Sequence, residues 1–245
     1  MCKLLFTAVL LGGTALALPA HAVLQFSATV DGNLISCQDQ NAACDTNPTV
    51  GILQTNAQVF GGVSFLGSSQ TQTTGAFNSI NTTSFQVDNL TGAPITVTIA
   101  VGGTDFVGPV DVLSQSGSGT FQNAVGSDIQ MTFYADTANG QGADTPLDLP
   151  GTLQADSGVI SATLLTDSFN FNSTSGFVDA DGYSMTLGTT GTLVAGGSLV
   201  GRSQAQVAIN EVPEPASLLI LGGSLLGMAA LTRRRHRRGA TTASA

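Results

Sequence analysis

Hydrophobic and polar positions alternate with a period of two through much of the chain. In "VLQFSATVDGNLISC", residues 23–37, alternating apolar residues stand on both sides of Asp31-Gly32. Both central positions of a two-residue turn need positive φ, which Asp-Gly tolerates, so the pattern predicts a β-hairpin. "TSFQVDNLTGAPITVTIAV" repeats the arrangement with a longer turn through residues 91–94, and in its second arm Ile95, Val97, Ile99 and Val101 share one face. Further strands are expected over 128–135, 158–166, 183–188, 191–195 and 204–210. No stretch between residues 23 and 211 combines a 3.6-residue period with capping residues. Many short strands separated by Gly- and Asp-rich turns predict an all-β fold, an antiparallel β-sandwich of jelly-roll or Ig-like type, with a barrel as the related alternative.

Both ends of the chain break this pattern. After Lys3, residues 4–18 are uncharged and predominantly apolar, and Ala20 and Ala22 supply the small residues of an A-x-A cleavage site before Val23. That order is the anatomy of a secretory signal peptide over 1–22, to be handled by the Sec translocase, leaving an exported domain over 23–211. Cys2 precedes the apolar stretch instead of ending it, which argues against lipidation. Near the other end, residues 216–231 carry no charge and would span roughly 24 Å as a helix, about the minimum for crossing a bilayer. Arg233, Arg234, Arg235, Arg237 and Arg238 follow, five of the seven Lys plus Arg in the chain. Basic residues gather on the cytoplasmic flank of a span, so these arginines are expected to stop transfer with the amino-terminal domain outside. Residues 239–245 are expected to form a disordered tail.

Val212, Pro213, Glu214 and Pro215 stand directly before that span. Two prolines around one acid force an extended backbone, which suits an exposed recognition site beside the membrane. This tetrapeptide, the apolar run and the arginines together resemble the PEP-CTERM sorting signal over 212–238. That signal is found on exported proteins of Gram-negative bacteria and is recognised by exosortase, an integral-membrane transpeptidase. The resemblance implies transient anchoring in the inner membrane, processing, and delivery to the cell surface or the extracellular space. It implies no activity for residues 23–211.

Composition narrows what those residues do. They contain fourteen Asp, one Glu and one Arg, Arg202, for a formal charge of −14. A nucleic-acid partner is thereby excluded, because phosphate contacts need a basic surface. The region holds neither His nor Lys. Serine and cysteine hydrolases that need an imidazole base, histidine-ligated zinc and Schiff-base chemistry all fall away with them. No phosphate loop or dinucleotide fingerprint is present. Carboxylate chemistry remains open, as in a glycosidase built on two Asp residues. The sugar platforms such enzymes use are scarce, since the chain has no Trp and only Tyr134 and Tyr183.

Cys37 and Cys44 are the two cysteines outside the signal peptide, and in an oxidising compartment they are expected to pair. Asp179 and Asp181 lie two apart before Gly182 and are candidate calcium ligands. Tyr183 and Thr190 break the EF-hand pattern there, and "NGQGADTPL", residues 139–147, matches a calcium-binding nonapeptide only once, with Pro146 in place of an aliphatic residue. The plainer reading is that Asp initiates turns and solubilises the surface. Asn81, Asn89 and Asn172 each head an N-x-S/T triplet, at the frequency expected of a chain so rich in Asn, Ser and Thr. The expected function is a structural or interaction role within exopolysaccharide or biofilm, without enzymatic activity and without a cofactor. Two alternatives stay open: a calcium-stabilised adhesin or glycan-binding module, and an Asp-based glycosidase.

Overall fold

The computed structural model describes residues 23–74, 76–179 and 182–209, apart from the side chains of residues 178 and 179. These residues form fourteen β-strands. The strands are β1 Leu24–Val30, β2 Asn33–Gln38, β3 Ile52–Gln54, β4 Gln58–Phe60, β5 Val63–Thr73, β6 Phe77–Asn89 and β7 Ile95–Phe106. They continue with β8 Val110–Gln122, β9 Asp128–Asp136, β10 Thr152–Asp156, β11 Ile160–Ser161, β12 Thr166–Asp179, β13 Tyr183–Leu193 and β14 Ser198–Ile209. Two antiparallel sheets pack as a sandwich. The first has the order β10-β9-β13-β7-β1-β2 with β11 beside β9, and the second β12-β8-β14-β6-β5-β3 with β4 beside β5.

From β6 onward the chain alternates between the sheets except at β9 to β11, which share the first, and its pairings nest: β6 with β14, β7 with β13, β8 with β12, β9 with β10. Nested antiparallel pairs split between two sheets define a jelly roll. Strands β1 and β2 widen the first sheet beyond β7, and β3 to β5 widen the second beyond β6.

The first hairpin forms as its sequence predicts. Asp31 and Gly32 have φ of 49° and 77°, and β1 pairs with β2 from Gln25–Gln38 to Val30–Asn33. Residues 91–94 behave differently. They do not close a hairpin, because β6 and β7 lie in opposite sheets. Phe85 and Val87 on one arm, and Ile95 and Val97 on the other, are buried and meet across the core instead of pairing side by side. Asn89 pins this corner. Its amide donates to the carbonyls of Ala93 at 2.8 Å and of Leu193 and Val194 at 3.0 Å.

Several expected strands change extent for local reasons. Residues 183–188 and 191–193 merge into β13, and 194–195 lie beyond its end; Gly191 allows β9 to pass closely, since a Cβ there would lie 2.3 Å from the Asp128 carbonyl oxygen. Residues 158–166 contain the two-residue β11, a bend and the first residue of β12, while 204–209 extend backwards into the twelve-residue β14. The long strands β8 and β12 had no counterpart in the sequence reading. Gly117 and Gly119 interrupt the apolar alternation of β8, as Gly201 does that of β14, yet they are inward positions. A Cβ on them would come within 2.3 Å of the Phe171 ring, 2.5 Å of the Phe169 ring and 2.5 Å of the Phe85 ring. The aromatic rings occupy the space that side chains on these glycines would need.

Rings dominate the core. Phe26 stacks on Phe65 at 5.8 Å, Phe121 meets Phe169 at 5.3 Å, and Tyr183 lies between Phe106 and Phe177 at 5.8 and 5.2 Å. Each fully buried side chain of this size contributes about 1.5–3 kcal/mol relative to exposure.

The two outer faces differ. Over the first sheet, the connection between β9 and β10, residues 137–151, lies flat on the strands. The Gly142 backbone rests on Gly102 and Thr186, Leu149 lies against Gly188, and Ala143 is completely buried. Gln25 on β1 donates to Asp144 at 2.9 Å, and Asn139 exchanges hydrogen bonds with Asp105 at 2.8 Å in each direction. No comparable connection covers the outer face of the second sheet among the described residues.

Candidate functional site

Alternation along β12, β8, β14 and β6 points one set of side chains inward and the other to solvent. The outward set is mostly Asn, Gln, Ser and Thr, with Val112 and Val200 among its exceptions. Register aligns it into rows: Asn172, Ser116, Gln204 and Asn81 are cross-strand neighbours, and beside them run Asn170, Ser118 and Arg202. At ~4.8 Å between strands, four strands make a row about 14 Å long. Here the sheet surface holds a trough of about 350 Å³, continuous with a second of about 270 Å³ through their shared walls at Ser116, Asn172 and Gln204.

A bulge shapes one wall. Gly201 pairs with Phe85 and Ser203 with Thr82, so Thr83 and Ser84 of β6 together oppose the single residue Arg202. Such a bulge bends the strand and re-aims side chains. Thr82 braces it from the inner side, its hydroxyl accepting from the Ser203 amide at 2.7 Å and donating to the Ser203 carbonyl at 3.2 Å. Arg202 lies in the open, with Nε donating to Ser118 Oγ at 3.1 Å. Among the described residues no carboxylate pairs with it. The side-chain amides of Asn81, Asn170, Asn172 and Gln204 likewise make no hydrogen bond to another described residue, so their donors and acceptors are available to a ligand. The trough is lined by neither Asp nor Glu. Tyr183 is fully buried and Tyr134 stands in the other sheet, so neither forms an aromatic platform here.

Cys37 and Cys44 form a disulfide with Cα atoms 5.8 Å apart. It closes the start of the β2–β3 connection, whose interior is knitted by aspartates. Asp45 accepts from the backbone amides of Gln40, Asn47 and Gln54, and Asp39 accepts from that of Gly51. The same use recurs elsewhere: Asp128 holds the Thr192 amide, Asp136 those of Ala138 and Gly140, Asp148 that of Asp144, and Asp156 that of Gly158. Asp167 accepts from the Thr163 amide at 2.8 Å, the Thr163 hydroxyl at 2.9 Å and the Leu164 amide at 3.3 Å. These bonds, the Thr163 amide first, hold its carboxyl below the ordinary range, because they favour the charged form. Many of the acids therefore fasten turns.

Among the described residues no three His, Cys, Asp or Glu side chains are grouped to hold a metal ion. The candidate calcium ligands lie at the margin of what is described. Asp179 ends β12 opposite Val110, its side chain outside the description, and Asp181 falls outside the described residues. The cleavage-site residues Ala20 and Ala22, the motif from Val212 to Pro215 and the five arginines also lie outside them, while Val23 leads directly into β1. The triplet asparagines separate: Asn89 is a buried corner residue, whereas Asn81 and Asn172 line the trough. The trough as a whole escaped the sequence reading, since its residues come from four strands, two of which were not recognised.

Comparison with known proteins identifies the carboxyl-terminal segment and little else. No curated protein matches the chain. Among solved structures, TmCBM61 in complex with beta-1,4-galactotriose shares 12% identity and a TM-score of 0.28, covering 57% of this chain and 88% of that one. The CBM22-1 xylan-binding domain from Paenibacillus barcinonensis shares 14% identity and a TM-score of 0.28, covering 66% and 88%. The adhesin domain of Lys-gingipain from Porphyromonas gingivalis shares 9% identity and a TM-score of 0.32, covering 65% and 98%. The PEP-CTERM protein-sorting motif matches residues 211–235, the segment that the sequence reading singled out. Residues 211–235 thus carry a PEP-CTERM protein-sorting motif, a signal that implies export and processing by exosortase.

Proposed function

We propose that this protein is delivered to the cell surface or extracellular matrix and there binds polysaccharide through the outer face of its second sheet, without chemical turnover. The carboxylate-free trough on an otherwise strongly acidic domain carries this reading. Sugar hydroxyls both donate and accept hydrogen bonds, and the groups that answer both roles are primary amides and hydroxyls. Asn81, Asn170, Asn172 and Gln204 present four such amides with no partners of their own, flanked by Ser116 and Ser118. Each hydrogen bond adds a net ~0.5–1.5 kcal/mol in exchange with water, so a row of them supports modest affinity per site. Many copies along one polymer would raise retention by multivalency.

The same lining supports a non-enzymatic role. Glycoside hydrolysis needs two carboxyl groups flanking the bond, and none lines the trough. Exosortase acts on the tail, and the folded domain is the part delivered into exopolysaccharide or biofilm. The test is affinity electrophoresis of the exported protein through gels containing bacterial exopolysaccharides, with Asn172→Ala/Gln204→Ala as the paired variant. Wild type should be retarded, and the double variant should lose at least about tenfold in apparent affinity, since removing two bonds of about 0.7 kcal/mol each, toward the lower end of that range, already amounts to that. Equal mobility of both proteins in every gel refutes the reading. Release of reducing ends from any of these polymers refutes the non-enzymatic part.

A further inference from the structure

The trough has an electrostatic character that hydroxyl recognition alone does not require. Arg202 is the sole basic residue among those described, and it stands on β14, flanked in its sheet by β8 and β6, not on a loop or an edge. Among the described residues, no aspartate lines the trough and none pairs with this guanidinium. Its Nε is already oriented by Ser118, and the bulge of β6 sets Thr83, another lining residue of the trough, opposite it. An arginine held this way presents its remaining N–H groups as a planar fork, the geometry that matches a carboxylate with two parallel hydrogen bonds.

We propose that Arg202 makes the trough selective for a polysaccharide bearing carboxylate substituents, as in uronic-acid residues, with the neighbouring amides reading the adjoining hydroxyls. The inference rests on the polysaccharide reading and adds the ligand's chemical class. It also bounds that class. A domain of formal charge −14 repels a dense polyanion at long range, so the favoured chain is largely neutral and carries isolated carboxylates. Raising ionic strength screens that distant repulsion beyond about 10 Å at 0.1 M while affecting the contact pair less. Binding should therefore hold or rise with salt, unlike the steep loss of a polybasic binder.

The experiment compares xanthan, alginate and polygalacturonate, each with its own carboxyl-reduced form, and dextran sulfate as a dense non-carboxylate polyanion. The exported protein is tested as wild type, Arg202→Gln and Arg202→Lys, with circular dichroism confirming that each variant is folded. Wild type should favour at least one native polymer over its reduced form by about tenfold, the scale of a charge-assisted hydrogen bond. Arg202→Gln should bind native and reduced polymers alike at the weaker level, and Arg202→Lys should recover only part of the preference. Equal wild-type affinity for every native and reduced pair overturns the carboxylate assignment while leaving polysaccharide binding in place. Dextran sulfate binding as tightly as the best carboxylated polymer overturns it in favour of general anion attraction. No binding to any polymer overturns both readings.

Discussion

Gly102 is the position where a single methyl group most directly tests how the first sheet is covered. It lies on the outer face of β7, between Gln25 of β1 and Thr186 of β13. A Cβ there would meet the Gly142 carbonyl oxygen at 2.3 Å, its carbon at 2.6 Å and its Cα at 3.0 Å. All three are backbone atoms, so no side-chain rotation relieves the clash, and ordinary contact requires the 137–151 connection to retreat by about 1 Å. Overpacking of this kind costs about 1–3 kcal/mol. Alanine recovers about 0.4–1 kcal/mol by restricting the unfolded chain, because position 102 does not have positive φ. The net destabilisation of Gly102→Ala should be about 1–2 kcal/mol, a fall in Tm of about 2–8 °C for a domain of this size.

Thermal unfolding of the exported protein measures the fall, with Gly92→Ala as the control, since a Cβ at that corner meets nothing within 4 Å. Hydrogen exchange localises the effect. The Ala143 amide, bonded to the Asp148 carbonyl at 3.0 Å, should exchange faster in Gly102→Ala. Polysaccharide affinity should not move, because the trough lies on the opposite sheet. A Tm equal to or above that of wild type refutes the packing argument, and unchanged Ala143 exchange refutes its location.

Three further outcomes are expected. The lowered Asp167 carboxyl stabilises the fold fully above the ordinary carboxylate pKa of about 3.9, and that contribution is lost as pH falls through its depressed folded value, so Asp167→Asn should lower Tm near pH 6 and converge with wild type in strong acid; carboxyl NMR titration checks the direction. Replacing Cys37 and Cys44 with serine opens a loop of sequence separation 7, which on the chain-entropy model costs about 2.5 kcal/mol and lowers Tm by about 5–10 °C; no change in Tm would show that the β2–β3 connection is held by its aspartates alone. Glu214→Ala should leave export intact and block removal of the tail, read as a size difference between exosortase-positive and exosortase-deleted hosts; identical processing of Glu214→Ala and wild type refutes a role for the motif glutamate.

Legibility varied with how local each feature is. The β1–β2 hairpin was readable because Asp31 and Gly32 carry the turn in two adjacent residues. The Cys37–Cys44 pairing was readable because no other cysteine lies beyond residue 22 to compete. By contrast, β8 and β12 were hidden because their inward positions include Gly117, Gly119 and serines, which resemble loop sequence until the covering rings of Phe169 and Phe171 are seen. The turn at 91–94 was recognised as a turn but misassigned as a hairpin. A turn signal does not say whether its arms pair within one sheet or face each other across two.

What the sequence determined by itself is what short stretches can encode: the period of two that makes the chain β, the turns, the disulfide and the sorting motif at its end. Only the tertiary structure decided which surface is open. The period of two assigns each side chain to a face, but the choice of covered face depends on where the 137–151 connection settles, and that depends on Gly102 and Gly142 meeting across forty residues of chain. The trough depends on still longer range. Asn81 and Gln204 become neighbours because β6 pairs with β14, and Ser116 joins them only because β8 lies on the other flank of β14. Strand pairing at such separations is set by burial of the whole core, so a row of amides and one arginine assembled on that scaffold has no signature in any single segment.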